Sequence, residues 1–307
     1  MNRILFLIAF LPLMCSAQTT SPEVIASSGD HFSNATGSLS WTLGETMTET
    51  FSNGGHILTQ GFQQPVTVAI SGINLALFAF LEGPFNGTEM NTTLNFGGHL
   101  PLNQPYYQLP WSYMGTEAVA SIPNTDVVDW VLIELRDAPD APSASSSTII
   151  DRKAAFILNN GSIVATDGSS NLQFSNVTIQ HSLFTVLWHR NHIGIMSAVP
   201  LLETDGVYSY DFTTGAGQVF GGMNAHKEIG SGIWGMTGAD GNADGQINNG
   251  DKIDVWSPEA GSSGYLSGDF NLDSQVNNSD KNDIWIPNTG LGGQVPDTFD
   301  PQCYVPE

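Results

Sequence analysis

"DWVLIELR" occupies residues 129–136. Val131, Ile133 and Leu135 fall on one side of an extended chain, with Trp130, Leu132, Glu134 and Arg136 on the other. A side-chain period of two over eight residues is the mark of a β-strand, here expected to bury its Val/Ile/Leu side. Working outward, "VAISGINLALFAFL", "TIIDRKAAFIL", "GSIVAT", "LFTVLWHR", "IGIMSA" and "VYSYDF" read as further strands. "NNGS", "TDGSS" and "ETDGV" supply turns between several of them, and "APDAPSASSS" (138–147) is a loop joining two strands. No stretch carries a convincing helical period. The expected fold is mainly β, an antiparallel β-sandwich over 66–232 followed by a small repeat over 233–290.

The ends read differently. Met1-Asn2-Arg3, the apolar run "ILFLIAFLPLM" and the small residue Ala17 have the parts of a secretory signal peptide over 1–17, too short to span a bilayer. Cys15 has Met14 beside it, a poor neighbour for lipid attachment. With the leader removed only Cys303 is left, so no internal disulfide can form. Residues 18–65 form an N-terminal hairpin segment: Leu39, Trp41 and Leu43 alternate, and "SNGGH" is a tight turn before "ILTQGF". Residues 291–307 form a tail.

The formal charge is −22, and loss of Arg3 with the leader makes it −23. Such a field repels phosphate backbones and anionic membranes, so nucleic acid is a poor partner. Only 12% of residues are charged while 40% are hydrophobic, which argues for a folded chain stabilised by a core or a metal.

"DGNADGQINNGDKIDVW" (240–256) and "DFNLDSQVNNSDKNDIW" (269–285) agree at ten of seventeen positions. In the first copy Asp240, Asn242 and Asp244 stand at loop positions one, three and five, Gln246 offers a carbonyl at seven, and Asp251 closes at twelve. Asp269, Asn271, Asp273, Gln275 and Asp280 repeat the set, with Asn248 and Asn277 available at position nine. Hard oxygens at this spacing suit Ca2+, and two ions are expected; zinc would call for Cys or His. Gly245 fills the sharp turn at position six, where the second copy has Ser274 and is expected to bind more weakly. "KIDVWSP" allows barely two helical turns before proline, and Trp256 and Trp285 are expected to pack each short segment against the body.

These loops resemble those of dockerin modules, which implies EF-hand-type calcium binding and a cohesin-type partner, although the short helices do not match the dockerin gripping surface. "VVDWVLIELR", "AAFILNNGSIVATDGSS", "LFTVLWHRNHIGIMSA", "YDFTTGAGQVFGG" and the first loop, in that order, resemble a secreted module of Bacteroidota surface proteins described as hemagglutinin-like or adhesin-like. "VIASSGDHF…GSLSWTLGETMTETF…ILTQGFQQP" is similar to a segment that in that phylum often precedes a type IX sorting domain; none is evident after residue 290. The resemblance implies a non-catalytic extracellular protein in adhesion or surface assembly. The alternative is a carbohydrate-associated accessory protein.

Catalytic signals are weak. His189 and His192 in "WHRNH" lack the glutamate spacing of a zinc-protease helix, and read as a hydrogen-bonded corner with Arg190 pairing an acid such as Glu134. Asp126 and Asp129 offer a carboxylate pair of the kind glycoside hydrolysis uses. "GAGQVFG" (215–221) lacks the βαβ unit of a dinucleotide loop, and no GxSxG elbow occurs. "QPYYQLPWSYMG" (104–115) gathers Tyr106, Tyr107, Trp111 and Tyr113, either as a platform for a glycan or protein ligand or as a loop burying its rings.

Overall fold

The computed structural model describes residues 28–34, 37–43, 50–53, 56–59 and 72–296. The signal peptide 1–17, Cys303 and most of the 291–307 tail lie outside the described residues. The chain divides into two compact units, Met1–Ala69 and Ile70–Glu307. In the first, β1 (Ser28–Asn34) pairs antiparallel with β2 (Gly37–Leu43), and β3 (Thr50–Asn53) with β4 (His56–Thr59), Asn53 standing opposite His56.

The second unit is mainly β. Its strands are β5 (Ile73–Phe78), β6 (Val127–Ala138), β7 (Ile149–Leu158), β8 (Ser162–Val164), β9 (Leu172–Phe174), β10 (Ser182–Trp188), β11 (Ile195–Met196), β12 (Leu202–Thr204) and β13 (Val207–Asp211). They form one sheet in the order β11-β10-β6-β7-β8-β5-β13-β12, with β9 also on β5. A separate hairpin pairs β14 (His226–Gly230) with β15 (Ile233–Met236). The sheet is mixed, because β13 runs parallel to β5, Tyr208 opposite Leu75. Alternation has the same period in parallel and antiparallel strands, so the sequence pattern does not carry this direction.

Strand β6 sits between β10 and β7 and is buried along both faces. The expected open face is covered at its start by Pro101, whose carbonyl accepts from Trp130 Nε1 at 2.9 Å, and by Phe156, 4.1 Å from the Trp130 ring. Further along, Glu134 binds Arg136 at 2.6 Å, and Arg136 Nη1 also donates to the carbonyls of Ala144 and Pro296. A charged strand face can be buried when its charges neutralise each other and the remaining donors find carbonyls. Arg190 therefore has a different acid from the expected Glu134.

At the start of β6 the ladder slips. Val127 faces Leu158 while Asp129 faces Ile157, leaving Val128 as an extra residue. Such a bulge re-aims the next side chain, and here that side chain is the fully buried Asp129.

Candidate metal centre

The two repeats adopt the same backbone. Positions four and six of each loop are left-handed: Ala243 (φ 57°) and Gly245 (80°) in the first, Leu272 (55°) and Ser274 (70°) in the second. Left-handed residues turn the chain back so that the side chains before and after them converge. Asp240 Oδ2 takes the Gly245 N–H at 3.1 Å, and Asp269 Oδ2 takes that of Ser274 at 2.9 Å. The closing carboxylates do the same work in both copies. Asp251 accepts from Gly241 and Asn248, and Asp280 from Phe270 and Asn277. Asn242 and Asn271 accept from the amides of Asp244 and Asp273, which accept in turn from those of Gln246 and Gln275.

A helical run follows each loop. Asp251–Trp256 and Asp280–Trp285 are widened to a π-helical turn, then continue as the α-helical Ser257–Glu259 and Ile286–Asn288. The helices thus pass through Pro258 and Pro287 rather than stopping before them. A proline ring collides with the carbonyl four residues back in a regular α-helix. The wide turn moves that carbonyl: Ser257 N–H bonds to Lys252 O and Ile286 N–H to Lys281 O, five residues back.

Each copy completes the other. Trp256 Nε1 donates to Asn277 O at 2.8 Å, and Trp285 Nε1 to Asn248 O at 2.9 Å. The indoles therefore brace the opposite loop while also packing on the body as expected, Trp285 within the hydrophobic core and Trp256 against it. Lys281 Nζ lies 4.7 Å from the Trp256 ring and Lys252 Nζ 5.2 Å from the Trp285 ring. Gln246 bridges to Gly292, past the second helix, and Gln275 to Ser263, past the first. Each of these contacts between the copies turns into its counterpart when 29 is added to the first-copy residue and subtracted from the second-copy residue, which is an internal two-fold relation.

Electrostatics distinguish the loops from the rest of the fold. Burial, then Asp251 and Asp244, push the Asp240 carboxyl well above the usual range. Burial is also the main cause that raises Asp251 and Asp280, and it lifts Asp269 to about 7. Asp240 is 3% exposed, and its Oδ1 is buried without a hydrogen-bond partner. An unpaired buried carboxylate oxygen among further carboxylates is a site short of positive charge. Among the described residues no group of three or more His, Cys, Asp and Glu is arranged to hold a metal. The donor set of Asp240, Asn242, Asp244, Asp251 and the Gln246 carbonyl is nonetheless all oxygen, as a hard cation requires.

The repeat is fastened to the sheet through Asp129. Its Oδ2 accepts from Arg190 Nε at 2.9 Å and from His189 Nε2 at 3.2 Å; Oδ1 accepts from Tyr265 OH at 2.7 Å. Burial works to raise this carboxyl, but Arg190 and the hydrogen bonds hold it below the usual range. Arg190 Nη1 reaches Leu266 O, and Asn191 Nδ2 reaches Ser267 O and Asp269 O. Gly83 N–H donates to His192 Nε2, while His192 Nδ1 faces Asn191 Oδ1 at 2.9 Å and His189 Nδ1 at 3.1 Å. All four imidazole nitrogens are committed, and burial lowers both histidine pKa values, so these are neutral rings in a structural corner. A side chain at Gly83 would collide with the Phe270 carbonyl oxygen, which explains a glycine where sheet and second loop meet.

Asp126 is exposed and Asp129 fully buried, so the two do not flank an open cleft. Nor do the four aromatic residues form a platform. Tyr106, Trp111 and Tyr113 are buried, Tyr106 OH on Trp130 O and Tyr113 OH on Glu117, and only Tyr107 is exposed, at 59%. Gly215 and Gly221 flank the short 3-10 turn Ala216–Gln218 between β13 and β14, with no βαβ unit. Sequence reading missed Asn191 and Tyr265, and it missed Asp129 as an anchor. The available signal was a lone acid between "VV" and "WVLI", a position where an unpaired carboxylate would be costly.

A scan against protein-family models, a search of curated proteins and a search of solved structures each find no match. No helix among the described residues is long and apolar enough to cross a membrane.

Proposed function

We propose that this is a secreted, non-catalytic protein whose C-terminal repeat binds two calcium ions, and that it serves adhesion or surface assembly. In this reading the sheet curls into a β-sandwich, the repeat is dockerin-like, and the ions lock the repeat onto the sandwich. Asp240, Asn242, Asp244, Asp251 and the Gln246 carbonyl would hold one ion. Asp269, Asn271, Asp273, Asp280 and the Gln275 carbonyl would hold the other. Bound calcium would supply the positive charge that the first loop lacks and would add to that of Arg190 near Asp269 in the second. The observation that carries the reading is the buried, unpartnered Asp240 Oδ1 in a loop conformation repeated 29 residues later.

Calcium titration by calorimetry tests it directly. Two ions per chain are expected, one fewer in each of Asp240→Asn and Asp269→Asn. Attachment of chain-coated beads to cells should then be lost in EDTA and return with calcium. No heat of binding at millimolar calcium overturns the metal reading, and attachment indifferent to EDTA overturns the adhesive one.

A further inference from the structure

Between the 101–109 segment and the first metal loop lies a groove of about 480 Å³, within the range of small-molecule sites. One wall carries Asn103, Tyr107 and Gln108, and the other Asn242 and Ala243 with Ser267. Trp111, Arg190 and Tyr265 also line it. Arg190 is 5% exposed, and its Nη2 has no hydrogen-bond partner, although Nε and Nη1 are both used. The guanidinium lies 4.2 Å from the Tyr265 ring centroid and forms part of the groove's rigid floor.

We propose that this groove binds a neutral saccharide. Charge decides against an anion: Arg190 is already neutralised by Asp129, and the chain carries −22 overall. The groove offers amides, a hydroxyl and aromatic rings, which suit a ligand with both hydroxyl groups and apolar C–H faces. Tyr107 is the ring free to stack on a sugar. The side-chain amides of Asn103, Gln108 and Asn242 and the Ser267 hydroxyl are the partners for sugar hydroxyl groups. One wall, Gly241–Ala243, belongs to the loop read above as a calcium site, so on that reading calcium fixes the wall and binding depends on it.

The test is calorimetric titration of the full chain with neutral oligosaccharides (gluco-, manno-, xylo- and galacto-series) and one oligogalacturonate, in calcium and in EDTA. Tyr107→Ala and Asn103→Trp alter exposed positions, and thermal unfolding checks their folding. The expected result is binding of a neutral series that Tyr107→Ala weakens about tenfold, as loss of a central aromatic contact does, and that Asn103→Trp abolishes. EDTA should weaken it too. Binding unmoved by both variants, preference for the oligogalacturonate, or no binding across the panel overturns the proposal. If calcium still raises the melting temperature in that last case, the metal reading stands without the groove. Saccharide binding with no calcium effect on melting would sustain the groove and remove its link to the metal.

Discussion

Strand β6 and the Asp240–Asp251 loop both bury carboxylates, but only β6 gives its acids cations of its own. Asp129 has Arg190 and Glu134 has Arg136, each within 3 Å. Asp240 and Asp251 have each other, Asp244 and backbone N–H groups. The sheet is thus electrostatically complete from the sequence it carries. The repeat is complete in shape, with its two-fold bracing, yet short of charge. A missing counter-charge next to a finished scaffold is what separates a ligand-dependent element from a self-sufficient one.

The sharpest break of this contrast is Asp129→Ala. It strands Arg190 in the interior and unties Tyr265 and His189, so about 3–5 kcal/mol should be lost. Urea unfolding should show the loss, and calcium should not restore it. Phe156→Ala, also in the sheet, should cost about 3–5 kcal/mol whether or not calcium is present. A loss at either position that calcium largely restores would reverse the assignment of self-sufficiency.

His226, on the β14–β15 hairpin, tests the fold outside the repeat by pH. Burial lowers its pKa from 6.5 to about 4. Between those values the unfolded chain binds more protons than the folded one, so this residue's share of stability falls as pH drops from about 6.5 through 4. His226→Gln should flatten that part of the urea-midpoint profile.

The bracing itself is open to a smaller perturbation. Trp285→Phe removes the donor to Asn248 O, a bond worth about 1 kcal/mol. It should weaken calcium at the first loop, although Trp285 belongs to the second repeat. Ser274→Gly should give the least change, a second repeat about 0.5 kcal/mol more stable in urea unfolding, because relief of the strain of serine at φ 70° is partly offset by glycine's backbone entropy. Equal effects of Trp285→Phe on both loops would undo the two-fold account.

Much of this was legible in the residues. Strong alternation placed β6, β7, β10 and β13, and seventeen aligned positions placed the repeat, because both signals are local. What escaped is long-range. The parallel β5–β13 pairing, the crossed tryptophans and the Asp129 anchor join residues from 21 to 136 positions apart with no local periodicity. Proline stops a regular helix through its clash with the carbonyl four residues back, and the π-turn before Pro258 and Pro287 removes that clash. The aromatic cluster shows the same limit: composition marks rings, but only the fold separates buried Tyr106 from exposed Tyr107.

The most direct test is thermal unfolding of the wild-type chain and Asp240→Asn, each in EDTA and in millimolar calcium. A ligand that binds only the folded state adds about 2.7 kcal/mol at a hundredfold excess over its dissociation constant. Calcium should raise the wild-type melting temperature strongly. Asp240→Asn should melt higher than wild type in EDTA, where it removes an uncompensated buried charge, and lower in calcium, where it removes a ligand. If the two curves keep the same order in both solutions, or calcium moves neither, the loops are ordinary turns and the central claim fails.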